Sequence, residues 1–298
     1  MAQDAVDNMK FILTLALCFS FNVSAETIKI LSPYSASHSG TPAMYKIIDE
    51  ANKAQKIYTF VLDFRPGGNQ MIALKSMDSN SLGIIAPAFV ENVASGKLIE
   101  TDYIPIHALG DACWAVITNG SIDTNKEMTV GGVGFGNATH LTALALGEKY
   151  KFTTKYIVFK SNNDALINMA GNNGIFMVID RYESYESMKT QNSNLNAFAA
   201  SCPVRLPQAP HLKTLKELGI EAPYVFNITV APRSMDVTKR KAIAIILNNA
   251  QTKVGADEIF KISGMKTPKT TAEQFYIDST ALVRRLQTKY RDEIEKSQ

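Results

Sequence analysis

The chain carries the stretch Gly131-Gly132-Val133-Gly134-Phe135-Gly136-Asn137-Ala138-Thr139-His140-Leu141. A short apolar run precedes this glycine-rich turn, and apolar residues at helical spacing follow it. The pattern is typical of a strand that turns into a helix, so several backbone N–H groups and the positive helix end point to one place. Such a place suits a carboxylate or a phosphate.

The same alternation of short β-type runs and helical patterns extends to both sides of this stretch. The predicted strands are Thr27–Leu31, Ile57–Leu62, Leu82–Ala86, Met128–Val133, Tyr156–Phe159 and Ile175–Ile179. Helical patterns separate the first three strands and also the last three, which predicts an α/β protein with two parallel βαβαβ units. At 298 residues the chain is long for one core, so two lobes are expected.

Further β-type runs lie outside these units and are interpreted as crossings between the lobes. They are Tyr103–Ala108, Trp114–Thr118 and Tyr224–Val230. We therefore assign residues 26–119 and 232–298 to lobe 1 and residues 120–231 to lobe 2. Ligands of open α/β sheets bind beyond the carboxyl ends of the strands. The loops after the first strand of each unit are therefore the candidate jaws of a cleft, namely the first jaw (Ser32–Thr41) and the second jaw (Val133–Thr139).

The first jaw holds small hydroxyl residues, a histidine and a glycine directly before a predicted helix. Hydroxyls and exposed N–H groups there suit a carboxylate, although a solvated polar loop has the same composition. The candidate ligand-binding residues of this jaw are Ser35, Ser37, His38, Ser39, Gly40 and Thr41.

The second jaw offers glycines that let the backbone approach a ligand. A helix N-terminus stabilises an anion by only about 0.3–1 kcal/mol, or ~2 kcal/mol when partly buried, whereas a micromolar complex needs about −8 kcal/mol. One jaw is therefore not enough, and we expect two jaws to close on a dicarboxylate. The candidate residues here are Gly134, Phe135, Gly136, Asn137, Ala138, Thr139 and His140, the last either a ligand contact or a structural wall.

Asp180 and Arg181 follow a predicted strand, at a point where a side chain can enter the cleft. Arg181 can bind a carboxylate through two parallel hydrogen bonds, or it can form a surface ion pair.

Signals for cofactor, metal and catalytic sites are weak. The last glycine of G-x-G-x-x-G is missing and no Walker lysine follows the glycines, so a nucleotide cofactor is not expected. The four histidines lack metal-ligand spacing, and no G-x-S-x-G elbow occurs. A net charge of +3 is too mild to indicate nucleic acid. We therefore expect no metal, no cofactor and no catalytic residues.

The N-terminus predicts export. Lys10 precedes an apolar run, and the small residues that follow, up to Ala25, are typical of the cleavage site of a signal peptide. The run is too short to span a bilayer comfortably. We expect residues 1–25 to be a signal peptide cleaved near Ala25, and the mature protein to be periplasmic; an uncleaved helix is the alternative. Met9 is a second candidate start, because Asp4 and Asp7 are unusual in a basic leader.

Two cysteines remain after removal of this leader. In an oxidising compartment Cys113 and Cys202 either form a disulfide or stay as buried thiols, and the sequence leaves both alternatives open.

Several motifs follow one another in the order of a known family. They are Arg65-Pro66-Gly67-Gly68-Asn69, Gly134–Leu141, Arg205–Gly219 and Gly264–Phe275. They resemble motifs of the periplasmic solute-binding subunits of tripartite tricarboxylate transporters, where the first reads Arg-Pro-Gly-x-Gly-Gly-Asn and the second Gly-x-Gly-Ser-x-x-His-Leu. The likeness covers nearly all of the mature chain.

This resemblance implies a type II periplasmic-binding-protein fold, with two lobes joined by two hinge crossings. It also implies a small carboxylate as ligand and membrane transporter subunits as partners, and we expect a monomer. The residues that it implies as ligand contacts are Gly40, Thr41, Gly134, Gly136, Thr139 and His140.

The chain also departs from the family pattern. Residues 35–39 replace most prolines and glycines of the usual first jaw, Pro42 replaces an aspartate, and Asn137 replaces a serine. The ligand is therefore open, as is whether binding serves transport, chemosensing or scavenging. A transferase-like enzyme on the same fold is the alternative, with Asp180, His38 and His140 as its acid–base candidates. A structural or host-interaction protein is a third possibility.

Overall fold

The computed structural model describes residues 25–36, 38, 40–65 and 70–297. In chain order the strands are β1 (Glu26–Ser32), β2 (Tyr58–Phe64), β3 (Ser81–Ile85), β4 (Tyr103–Ala112), β5 (Ala115–Asn119), β6 (Glu127–Gly132), β7 (Thr153–Val158), β8 (Met177–Asp180), β9 (Leu195–Ala200), β10 (Val225–Pro232) and β11 (Met265–Lys266). Each predicted strand of the two βαβαβ units is present, with ends displaced by a few residues. The predicted signal peptide lies outside the described residues, apart from Ala25.

Helices connect most of these strands. They are α1 (Thr41–Ala54), α2 (Gln70–Lys75), α3 (Ala88–Ala94), α4 (Ala138–Tyr150), α5 (Asn162–Ala170), α6 (Tyr182–Lys189), α7 (Val237–Val254), α8 (Ala256–Ser263), α9 (Ala272–Lys289) and α10 (Arg291–Ser297). A 3₁₀ turn covers Glu100–Asp102. None of the helices in this described part is long and apolar enough to cross a membrane.

The strands form two sheets. The first has the order β11-β4-β10-β3-β1-β2, and the second has the order β7-β6-β8-β5-β9. Strand β1 pairs in parallel with β2 and β3, and β6 pairs in parallel with β7 and β8. The parallel units predicted from the alternating pattern are thus confirmed. In each sheet the remaining strands join these units in antiparallel orientation.

The predicted crossings are strands of the sheets themselves. Strand β4 lies in the first sheet and β5 in the second, so the chain crosses at Cys113 and Trp114 and returns between β9 and β10. Strand β5 belongs with the second sheet and β10 with the first, whereas the predicted lobe division at residues 119 and 232 assigns them the other way round and stays a prediction. The physical reason is that each run finds a ladder partner for its backbone N–H and C=O groups.

The core of the first sheet follows the amphipathic pattern of the sequence. In α1 the residues Met44, Ile47 and Ala51 are buried, and they pack in one apolar cluster with Ile28 and Ile30 of β1. Helix α4 is covered almost completely, since every residue from 138 to 147 is buried. Burial of these faces supplies the main driving force for both lobes.

Helix α9 connects the two sheets. Its residues Phe275, Val283 and Leu286 are buried in the cluster that contains the first sheet. Near its C-terminus, Lys289 forms an ion pair of 2.5 Å with Glu148 of α4. The final helical segment therefore touches both lobes.

The two cysteines are free thiols, and both are buried. The Cys202 thiol donates to the carbonyl of Val204 at 3.0 Å. A hydrogen bond with Cys202, together with burial, raises the pKa of the Cys113 thiol. Of the two alternatives left by the sequence, this structure shows the unpaired thiols.

A steric prediction concerns Gly110, where β4 passes β11. The residue has a φ of +138°, and a Cβ there would lie 2.4 Å from the carbonyl oxygen of Lys266. Because that neighbour is backbone, we expect Gly110→Ala to lower the free energy of unfolding by about 2–4 kcal/mol. Gly120→Ala is the matched control, because its φ is +90° but nothing lies within 4 Å of a Cβ. We expect this variant to lower the free energy of unfolding by about 1 kcal/mol. Urea denaturation of both variants measures the difference, and equal losses would contradict the steric argument.

Candidate functional site

The two jaws border one cleft of about 680 Å³, which includes its opening to solvent. Its lining comes from the segments after β1, β3, β6 and β7 and from the two crossings. The lining residues are Pro33, Tyr34, Ser35, His38, Ala86, Pro87, Ala88, Trp114, Val133, Asn137, Ala138, Thr139, Lys160, Ser161, Asn162 and Val225. The structure thus brings together Ser35, His38 and Asn137–Thr139 of the predicted site, and their binding of a ligand stays a prediction. Ser37 and Ser39 lie outside the described residues.

In the first jaw, the donor groups of Gly40 and Thr41 form hydrogen bonds within the loop itself. The Gly40 N–H donates to His38 Nδ1 at 3.1 Å, and the Thr41 N–H donates to the His38 carbonyl at 2.9 Å. The Thr41 hydroxyl donates to the carbonyl of Ser35 at 3.2 Å. Neither Gly40 nor Thr41 lines the cleft. That Gly40 and Thr41 bind the ligand stays a prediction; in this structure the folded-back loop satisfies these donors itself.

Aromatic rings form the cleft wall beside this jaw. The rings of Tyr34 and His38 stack with centroids 3.8 Å apart, and the edge of Trp114 meets His38 at 5.8 Å. Burial lowers the pKa of His38 to about 4, so the ring is neutral at neutral pH. Since Nδ1 accepts a hydrogen bond, the proton resides on Nε2. The sequence analysis did not name Tyr34 or Trp114 as site residues, although Tyr34 lies inside the first jaw and Trp114 begins a predicted crossing.

Asn137 organises the second jaw. Its Oδ1 accepts from the His140 N–H at 2.9 Å, which caps α4, and from the Tyr156 hydroxyl at 3.1 Å. The next backbone donors, the N–H groups of Ala138 and Thr139, lie in the first turn of α4 and make no hydrogen bond to the described residues. First-turn N–H groups have no partner within the helix. Both residues line the cleft, so this turn can receive an anion.

The glycines of the second jaw shape the loop and do not line the cleft. Gly136 has a φ of +64° and donates its N–H to His140 Nδ1 at 3.1 Å, while its carbonyl accepts from the Gln287 side chain of α9 at 3.0 Å. Ligand contacts by Gly134 and Gly136 stay predictions; in this structure the N–H and the carbonyl of Gly136 are both used within the protein.

His140 and Phe135 are structural neighbours of this jaw. His140 is fully buried, stacks on Tyr156 with centroids 4.2 Å apart and lies 3.4 Å from the hydroxyl of Ser297. Phe135 meets the His140 ring in an edge arrangement and the Tyr156 ring at a tilt of 54°. Both roles left open for His140 stay predictions, as does a ligand contact by Phe135.

The loop after β7 adds residues that sequence reasoning missed. Lys160 is exposed at the cleft, and no ion pair joins it to the part of the chain described here. Ser161 caps α5 by accepting from the Asp164 N–H at 3.0 Å. Asn162 is 7% exposed, and its Oδ1 is buried without a partner among the described residues. Their position after a parallel strand was the available signal.

Asp180 and Arg181 do not line the cleft. Asp180 is fully buried beside Ala115 of β5, and its Oδ1 accepts from the Arg181 N–H at 2.7 Å. The Arg181 guanidinium lies 3.4 Å from the carboxylate of Glu183. The structure shows the ion pair that was the alternative for Arg181, and ligand contact by Asp180 and Arg181 stays a prediction.

The cleft thus combines backbone donors, one ammonium group and aromatic faces. No aspartate or glutamate is among the described residues that line it. Nor do the described residues contain a group of three side chains able to hold a metal ion. Donors without a repelling carboxylate suit the capture of a small anion.

The overall arrangement matches solved structures closely. The periplasmic binding protein BugD superposes with a TM-score of 0.69, covering 89% of this chain and 97% of BugD at 17% identity. The chain has the two-lobed fold of the periplasmic binding proteins. An R. palustris protein solved with adipate superposes with a TM-score of 0.70, covering 91% of this chain and 96% of that protein at 14% identity. A TctC solute-binding protein from Polaromonas superposes with a TM-score of 0.64, covering 88% of this chain and 98% of that protein at 16% identity.

These neighbours agree with the resemblance stated from the motifs, at the level of the fold. No protein-family model matches the chain, and no curated protein matches it either. The chain therefore shares this fold with proteins to which it is only 14–17% identical.

A pH prediction follows from the buried histidines. Burial lowers the pKa of His38 and of His140 to about 4, below the unfolded value of about 6.5. The unfolded chain therefore binds more protons between these values, so stability is full above pH 6.5 and falls as the pH drops toward 4. We expect the protonation of each histidine to lower the free energy of unfolding by about 2 kcal/mol between pH 7 and pH 5.

The variant His140→Asn tests this prediction. Asparagine places an oxygen near the Nδ1 position for the Gly136 N–H but cannot titrate, so its stability curve should be flatter by about 2 kcal/mol over this range. Burial also raises the pKa of Asp111 to about 7, which acts in the opposite direction in both proteins. The difference between the two urea-denaturation curves is therefore the informative quantity, and parallel curves would contradict the argument.

Proposed function

We propose that the protein is an extracytoplasmic solute-binding receptor, which closes on a small carboxylate and delivers it to membrane transporter subunits. The observation that carries the proposal is the set of unpartnered donors at the cleft, namely the N–H groups of Ala138 and Thr139 and the ammonium group of Lys160. They belong to different loops of one lobe and border the same cleft as the first jaw.

The magnitudes support binding of a carboxylate. Hydrogen bonds to a charged group contribute about 1.5–3 kcal/mol each, and the N-terminus of α4 adds up to ~2 kcal/mol when partly buried. Closure of the first jaw then excludes water and adds apolar contacts. Together these terms reach the order of −8 kcal/mol that a micromolar complex requires.

The neighbours add support, since one of them was solved with adipate and another with malate, both dicarboxylates. The predicted leader and the periplasmic-binding-protein fold together favour a periplasmic location after cleavage near Ala25. Such a receptor acts as a monomer that presents its loaded form to the membrane partner. The same binding step also serves a sensing or scavenging role.

The proposal contains no catalytic step. A transferase-like enzyme needs an acid–base pair at the ligand, whereas His38 and His140 both use Nδ1 to accept a glycine N–H. Asp180 lies away from the cleft lining. The favoured role is therefore binding and release.

Ligand titrations of the protein and of two lysine variants, each lacking one positive charge, test the proposal. Benzoate, hexanoate, succinate and adipate are screened by thermal shift, and the tightest of them is titrated by calorimetry. We expect stabilisation that rises as RT ln(1 + [L]/Kd), about 2.7 kcal/mol at one hundred times Kd, with no product formed. Lys160→Gln should weaken binding about tenfold, or about 1.4 kcal/mol. Lys155→Gln on β7 is the control, and we expect it to leave Kd unchanged.

Two results would argue against this function. Product formation from the bound acid would favour the enzyme. Equal effects of the two lysine variants would show that Lys160 does not meet the ligand.

A further inference from the structure

We infer that Cys113 and Cys202 form a site of oxidative cross-linking, whose disulfide closes the second lobe into a covalent ring once the protein reaches an oxidising compartment. The present structure shows the reduced form of this pair. The inference concerns the stability of the lobe and goes beyond the proposed binding of a carboxylate. It follows from the place of the two thiols in the fold.

The register of β5 and β9 places the two cysteines opposite each other. Ala115 at the start of β5 pairs with Ala200 at the end of β9, in antiparallel orientation. One step further out, the Ser201 N–H donates to the Trp114 carbonyl at 2.8 Å, so the pairing continues beyond the ends of both strands. The next step along both chains brings the two cysteines against each other.

This position is a non-hydrogen-bonded pair of the ladder. Hydrogen-bonded and non-hydrogen-bonded pairs alternate between antiparallel strands, and the pair one step inward is hydrogen-bonded. In agreement, the Cys113 N–H donates away from β9, to the Gly264 carbonyl at 2.7 Å. Cα atoms of such pairs lie about 4.5 Å apart, within the range of about 4.4–6.8 Å that a disulfide spans. A bond between the two sulfur atoms therefore needs little movement of the backbone.

The two thiols are also in contact. Both side chains are 1% exposed and belong to one apolar cluster of the second lobe. The hydrogen bond to Cys202, together with burial, raises the pKa of the Cys113 thiol, and the same hydrogen bond lowers the pKa of Cys202. No side chain of the described residues therefore separates the two sulfur atoms.

The bond closes the chain of the whole second sheet. All strands of that sheet, β5 to β9, and the helices α4 to α6 lie between Cys113, where the chain enters the lobe, and Cys202, where β9 has ended. The closed loop holds about 90 residues. The chain entropy that a cross-link removes from the unfolded state grows with the length of the loop. The disulfide is therefore expected to stabilise the second lobe.

The bond forms by thiol–disulfide exchange with a protein or small-molecule disulfide, which an oxidising compartment supplies. One cysteine thiolate attacks the S–S bond of this carrier and forms a mixed disulfide, and the other thiolate then displaces the carrier. The carrier takes up two electrons, and the two protons of the cysteines pass to the two thiols that it releases. Because Tyr224 and Phe260 pack against the cluster that buries the pair, the exchange belongs to the folding of the lobe.

Refolding in a defined redox buffer tests the inference on the full chain. Cys18→Ser is used throughout, because Cys18 lies in the predicted leader and the pair then supplies the only thiols. The protein is refolded from urea with oxidised glutathione or with dithiothreitol. We expect the oxidised sample to lose both free thiols, to weigh less by two hydrogen atoms and to yield a peptide that joins Cys113 to Cys202.

Thermal unfolding measures the stabilisation. We expect the midpoint of the cross-linked protein to lie about 5–10 °C above that of the reduced protein, and dithiothreitol added in urea to abolish the difference. The matched control carries both Cys113→Ala and Cys202→Ala, and it should unfold at one temperature under both conditions.

Three results would overturn the inference, and none of them bears on the carboxylate receptor. Both thiols could stay titratable or carry glutathione separately, which would show that no internal bond forms. The chain could refold only in dithiothreitol, which would show that oxidation opposes the fold. The disulfide could form without raising the midpoint, which would show that it does not stabilise the lobe.

Discussion

The side-chain oxygen of Asn137 accepts two hydrogen bonds, one from the backbone of His140 and one from the Tyr156 hydroxyl. The first caps α4 and the second ties this cap to β7. Together they determine where the first turn of α4 points, and with it the direction of the free N–H groups of Ala138 and Thr139. Without this cap the glycine-rich turn would have no fixed relation to the cleft.

The two jaws share one local design and differ in what they present. In each, a glycine N–H donates to the Nδ1 of a buried histidine, and that ring stacks on a tyrosine. In the second jaw the histidine pair lies behind the helix start and leaves the first-turn donors toward the cleft. In the first jaw the pair itself lies in the cleft wall, where the Tyr34 hydroxyl and the Trp114 Nε1–H are buried without a partner among the described residues.

The sequence predicted the elements and the jaws better than the roles of individual residues. The spacing of apolar residues and the residues typical of turns located the βαβαβ units. The position of loops after parallel strands located both jaws. The roles of Gly40 and Thr41 could not be predicted, because they depend on how His38 folds back onto its own loop. Likewise, β5 and β10 read as isolated β-type runs, since their pairing partners are distant in sequence. Lys160 and Trp114 carry no motif, and only the assembled sheet edges show that they border the cleft.

The central claim is that a carboxylate is held by the first turn of α4. The most direct measurement is a titration of the isotope-labelled protein with benzoate, followed through the backbone amide resonances. The account predicts large, saturable shifts of the Ala138 and Thr139 amides, with the same Kd as calorimetry gives. Saturable shifts confined to other regions, with these two amides unmoved, would contradict it.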